Sequence, residues 1–339
     1  MKKFIIALIL LLTIFLIVTR FAEVQQIFQT LQHGDLRFIL LAAVVEFAWI
    51  YTLATTYQVI YRILGLKEQR QRLFLLATAA YFLSIVAPSG GVSGMAVFIS
   101  DARKRGMSSA RVTVASALWV LFDYGAFLCV LSLGLIVLIR RDNLEWTEII
   151  ASIILLAIAL GLATLLYLGM KSAASLGNTL AYLSRIVNTI ARPFIHRDYL
   201  QIERAYSFAH EIAEGITALK HKPLKDLVVP LLLSLLNKTL LITILILMFL
   251  AFKTPFTPGI IIASFSMGYL FLIVSPTPSG IGIVEGVLVI SLSSLNIPLE
   301  AATVIALSYR GFTFWMPLAV GLFSFRRLTQ TTNATNFQQ

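Results

Sequence analysis

The chain has 339 residues, 58% of them hydrophobic and only 13% charged, with a mean hydropathy of +0.88. A soluble domain of this length carries more charge and shorter apolar runs, so a soluble fold is excluded. The net charge of +11 reads as topology-setting loop charge, not as a nucleic-acid footprint, and the single cysteine, Cys129, excludes an internal disulfide or a multi-cysteine metal site.

Apolar stretches fall at about 4–19, 38–60, 73–100, 112–139, 149–170, 227–252, 254–295 and 301–325. About 20 apolar residues span a bilayer as a helix. The start, "MKKFIIALILLLTIFLIVTR", has the charge and apolar run of a signal peptide. No small-x-small cleavage site follows at Phe21, Ala22 and Glu23, so an uncleaved membrane helix is expected. Between 171 and 226 the chain is polar, broken by Pro193 and Pro223. Leu176, Leu180, Leu183, Val187 and Ile190 recur there at helical spacing, which predicts amphipathic helices lying on the membrane surface.

Two runs have the wrong length for one helix. Residues 73–100 carry no charge, and as a straight helix they would reach about 42 Å, past a hydrocarbon core of about 30 Å. Residues 254–284 pose the same problem. Each run holds a Pro-Ser-Gly, in "APSGGVSG" at 87–94 and "SPTPSGIG" at 275–282. Proline removes a helical hydrogen bond and glycine costs about 1 kcal/mol relative to alanine. Each run therefore reads as two short helices meeting at a break inside the membrane.

Loop charge fixes the expected topology. With the N-terminus inside and each long run returning to its own side, the inside loops hold 20 of the 27 basic residues. The outside loops hold five, and Lys238 and Arg310 lie within membrane segments. The first hairpin then enters from the cytoplasm and the second from outside. Each is followed by a span with a buried charge, Asp123 or Arg310. The expected fold is an all-α polytopic membrane bundle of two inverted repeats, each with a re-entrant broken-helix hairpin. The halves are placed at about 1–170 and 226–328, joined by the linker at 171–225 within one membrane domain, with a disordered tail at 329–339. Both termini are expected in the cytoplasm of a prokaryote, at its inner membrane.

Irregular backbone at membrane depth survives only where protein or a watery cavity satisfies it. The candidate binding residues are therefore Ser279, Gly280 and Gly282 at one break and Ser89, Gly90 and Gly91 at the other. Half-helix N-termini there attract anions. Glu285 lies beside the second break, and Arg310, 25 residues on, is its expected partner. Arginine suits phosphate through its planar fork. Tyr309, Trp315 and Tyr269 are candidates to line the same space. Asp123 holds the place in the first half that Arg310 holds in the second. Glu46 and Lys238 are further buried charges, and Asn237 is placed to solvate Lys238.

Enzyme readings fail on their chemistry. "GVSG" at 91–94 matches intramembrane serine proteases, but all four histidines lie in loops. There is no zinc motif, no prenyl-diphosphate motif and no Walker loop, so no cofactor, metal or ATP drive is expected.

"APSGGVSG" followed by "RKRGMS", "PTPSGIGIVEG", and "SYRGFTFWMPLAVG" at 308–321 together resemble the transmembrane-region family of lysylphosphatidylglycerol synthases, also called flippase-like. The resemblance covers nearly the whole chain. It carries the family's Pro/Gly break and Glu onto Pro278, Gly280, Gly282 and Glu285, and its late Tyr-Arg onto Tyr309 and Arg310. Many members carry Glu-Arg shortly before the Asp that matches Asp123; here the region reads "ALWVLFD", without that pair. The resemblance implies movement of lipids between leaflets. It does not imply lipid aminoacylation, which belongs to a soluble C-terminal domain of the full synthases. The expected partner is a membrane lipid with an anionic headgroup. A transporter of a small soluble anion and a scaffold for lipid or glycan assembly enzymes are the alternatives. Gly-x-x-x-Gly-like spacings, common in membrane helices, leave a homodimer open.

Overall fold

The computed structural model describes residues 27, 30–86, 92–141, 144–195, 201–216, 219, 223–275 and 277–336. The expected first helix at 4–19 lies outside them. The described residues form helices and no strands. In chain order the main helices are α1 (Leu36–Ile63), α2 (Arg70–Val86), α3 (Val92–Lys104), α4 (Ser109–Arg140), α5 (Trp146–Lys171), α6 (Ala173–Ile195) and α7 (Ile202–Ile216). There follow α8 (Leu224–Ala251), α9 (Pro258–Val274), α10 (Ile283–Ser294), α11 (Leu299–Arg310) and α12 (Met316–Asn336).

Local chemistry sets the boundaries. The Asp35 carboxylate accepts from the Arg37 N–H at 3.0 Å and opens α1. The Ser108 hydroxyl does the same for Arg111 at the head of α4, at 3.3 Å. Thr257 caps α9, with Pro258 in its first turn. Helices α1, α4, α5 and most of α8 (from Lys225) are long and apolar enough to cross a membrane. Their outward apolar residues, such as Leu40, Val44 and Phe47 on α1 and Ile153 and Leu160 on α5, are exposed, as lipid requires.

The second overlong run is broken as expected, and the first gives one helix on each side of residues 87–91, which lie outside the described residues. The first gives α2 and α3 (17 and 13 residues) and the second gives α9 and α10 (17 and 12 residues). Helix α1 packs chiefly on α8, both being 28 residues long. Helix α2 packs on α12, and α9 packs on α4. A glycine permits each of these last two crossings. A Cβ on Gly321 would collide with Thr78 and Phe82, and one on Gly134 with the Ser266 side chain.

Two features differ from expectation, and a third, in the linker, refines it. The span at 301–325 is interrupted by a π-helical turn, Gly311–Trp315, directly after Arg310. Pro317 explains it: lacking an N–H, it cannot bond the carbonyl four residues back, at Thr313. The Tyr81 hydroxyl donates to that carbonyl at 3.1 Å instead. The linker does form two helices, and the leucine stripe of α6 is divided: Leu176 is buried and Leu180 packs on the core beside it. Leu183 and Val187 are 43% and 40% exposed, while Gly177, Ala181 and Ser184 face inward. The small residues decide this, because a Cβ on Gly177 would strike Tyr206 of α7. The tail expected to be disordered from 329 is helical as far as Asn336, since no Gly or Pro interrupts "TQTTNATN".

Candidate functional site

The break between α9 and α10 is a built loop. Helix α9 ends at Ser275, whose hydroxyl accepts from the Thr277 N–H at 3.1 Å. The Thr277 hydroxyl is bonded to the Ile281 carbonyl at 3.1 Å, and the Gly280 N–H donates to the Thr277 carbonyl at 3.0 Å. Three backbone positions are left-handed: Ser279 (φ 51°), Gly280 (φ 68°) and Gly282 (φ 81°). Ser279 bears a side chain in a region that L residues rarely adopt. Its carbonyl accepts from Arg310 Nη2 at 3.0 Å.

Glu285 stands in the first turn of α10 and uses both oxygens. Oε2 accepts from the Gly282 N–H at 2.7 Å, and Oε1 accepts from Arg310 Nε at 2.7 Å. The anion expected at this half-helix N-terminus is thus supplied by the protein itself. Arg310 is 2% exposed, and its guanidinium lies over the Phe314 ring, 4.8 Å from the centroid. Its hydrogen bonds use Nε and Nη2, and Nη1 donates to none of the described residues. The pairing expected from sequence is therefore present, and Ser279, Gly282, Glu285 and Arg310 form one constellation, with Gly280 supplying the turn. Ser89, Gly90 and Gly91 lie outside the described residues.

Asp123 belongs to a second cluster. Its Oδ1 accepts from Lys238 Nζ at 2.5 Å, and its Oδ2 accepts from the Tyr269 hydroxyl at 3.0 Å. The Lys238 Nζ also reaches the Tyr269 hydroxyl at 2.5 Å. Lys238 is 1% and Asp123 7% exposed, so both charges are buried. Sequence reading named Asp123, Lys238 and Tyr269 but did not join them. Asn237, expected to solvate Lys238, leaves its side-chain oxygen unbonded. Helix α9 links the clusters, with Tyr269 near its middle and the break at its end. Tyr309 is buried within electrostatic reach of Arg310 and Tyr269. The Trp315 indole N–H is buried without an acceptor.

A polar cavity of about 630 Å³ lies elsewhere, among Arg62, Lys67, Glu68, Gln69, Arg72 and Arg105 at the α1–α2 turn. Ion pairs of Arg105 with Glu68 and of Arg72 with Asp101 brace it. All its basic residues are among those that loop charge assigns to the inside.

The family of the lysylphosphatidylglycerol synthase TM region matches residues 4–321. The chain belongs to that family. It is also similar to a UPF0104 membrane protein of Methanocaldococcus jannaschii, 24% identical over 93% of this chain and 92% of the relative. A second UPF0104 membrane protein, of Methanothermobacter thermautotrophicus, is 22% identical over 88% of this chain and 87% of its own length. No solved structure matches the chain. As a member of this family with several apolar spanning helices, the protein is a multi-pass membrane protein.

Proposed function

We propose that the protein moves an anionic lipid between the leaflets of a prokaryotic cytoplasmic membrane, without ATP, by holding its headgroup at Arg310. One observation carries this reading. A buried arginine is held at a broken membrane helix by a single carboxylate contact and one carbonyl, leaving Nη1 uncommitted among the described residues. A headgroup phosphate is a stronger bidentate acceptor than that Nε contact. It would take Arg310 from Glu285 while Glu285 keeps its bond to Gly282. The acyl chains stay in the bilayer, so the site opens sideways.

Matched helix order supports an inverted repeat around this site. The lengths 28, 17 and 13 in the first half recur as 28, 17 and 12 in the second. In each half a span crosses the first helix of the other half's hairpin through a glycine 11 residues past the buried charge (123 to 134, 310 to 321). The re-entrant placement of the hairpins and the cytoplasmic termini follow from the loop charges. The chemistry is translocation and not catalysis.

Native mass spectrometry of the detergent-purified protein and of Arg310→Ala tests the site. An anionic lipid retained by the wild type and lost from the folded variant is the expected result. Equal retention by both removes Arg310 from the site. Binding of inorganic phosphate without any lipid places a soluble anion there.

A further inference from the structure

The membrane segments of the described residues hold three acids, Glu46, Asp123 and Glu285, but two bases, Lys238 and Arg310. Lys238 is taken by Asp123 and Arg310 by Glu285. Glu46 is the acid left over. It lies on the inward stripe of α1, between Ala42 and Ile50, and all three residues are 0% exposed. Neither carboxyl oxygen has a hydrogen-bond partner among the described residues.

The elements packed on α1 are α8, α2, α4 and the π turn. Those elements and the adjoining α11 carry Tyr81 on α2, Asp123 and Tyr124 on α4, Lys238 on α8, and Tyr309 and Arg310 on α11 as their buried or half-buried titratable groups within the membrane. Each cation already holds a carboxylate. Of the rest, Tyr81 and Tyr309 lie within electrostatic reach of both Glu46 and Arg310. A bare carboxylate is not tolerated in such a place. A hard metal cation needs several oxygen ligands, and no cluster of three metal-binding side chains occurs among the described residues. A proton needs only one oxygen.

We infer that Glu46 is a proton-binding site inside the bundle, coupled to the Arg310 site. When the O–H bond breaks, the proton leaves to water admitted by opening of the bundle, and the electron pair stays on Glu46. The new carboxylate then competes with Glu285 for Arg310 through the space that Tyr81 and Tyr309 share with both. Proton release and headgroup release become linked events. The coupling rests on the headgroup reading; the proton site itself does not.

Infrared spectroscopy of the protein in lipid nanodiscs tests the site. The comparison is between wild type and Glu46→Gln, which keeps the shape of the neutral acid, with Glu46→Leu as a second neutral variant should the first fail to fold. At neutral pH the wild type is expected to show a protonated-carboxyl stretch that the folded variant lacks. Identical spectra in that region mean that Glu46 is ionised and overturn the proposal. Lipid retention measured across pH then tests the coupling separately. A pH dependence present in the wild type and lost in the variant supports it. Retention with the same pH dependence in both overturns the coupling and leaves the proton site standing.

Discussion

Glu285 divides its two oxygens between Gly282 and Arg310, and this division makes separate predictions for each partner. Removing one member of a buried pair strands the other charge, at about 3–5 kcal/mol. Arg310→Ala is therefore expected to cost that much, and Glu285→Gln less, because an amide oxygen still accepts from Arg310. Adding Glu285→Gln to Arg310→Ala should recover part of the loss, and thermal melts in detergent check the cycle. The same logic at the second cluster makes Lys238→Met strongly destabilising alone and milder with Asp123→Leu. A Lys238→Met protein as stable as wild type would show that Asp123 has another partner. Sequence exposed these residues because charge within an apolar run is conspicuous. It did not expose the pairing of Asp123, because two bases facing three acids allow several pairings and only packing chooses among them. The count of three against two was legible, and it already implied one unpaired acid.

The break between α9 and α10 was legible for a physical reason: a helix of that length does not fit a bilayer, and Pro-Ser-Gly marks where it yields. The π turn was not, although its cause, Pro317, is in the sequence, because the acceptor it frees is satisfied by Tyr81 from a distant helix. The inward contacts of α6 were not legible for a related reason. Hydrophobic spacing finds an apolar stripe, but Gly177 and Ala181 allow the closer approach, and Leu183 and Val187 stay outward, where lipid would cover them. Two substitutions test the elements. Gly280→Ala places a Cβ at φ 68° against Val284 and Leu272, and the left-handed backbone alone costs about 1–2 kcal/mol. Gly321→Val drives a side chain into the Thr78 carbonyl and should cost about 1–3 kcal/mol, read as a lowered melting temperature. A Gly321→Val protein that melts like wild type would mean that α12 does not cross α2 at this point.

At the scale of the whole molecule, the matched helix lengths and the crossings of α2 on α12 and α9 on α4 support the proposed inverted repeat. The opposed entry of the hairpins rests on loop charge. In a Cys129→Ser background, a cysteine at Lys67 should be labelled only from the cytoplasmic side and one at Lys253 only from outside. Labelling of both from one side would undo the topology. The central claim is that this arrangement moves an anionic lipid, and a leaflet assay tests it most directly. Proteoliposomes carrying a headgroup-labelled fluorescent phosphatidylglycerol are treated with dithionite, which bleaches the outer leaflet alone. With the wild-type protein the inner-leaflet label should also be lost, while Arg310→Ala vesicles keep it. Inner-leaflet label that stays protected in wild-type vesicles, as in protein-free ones, would contradict translocation.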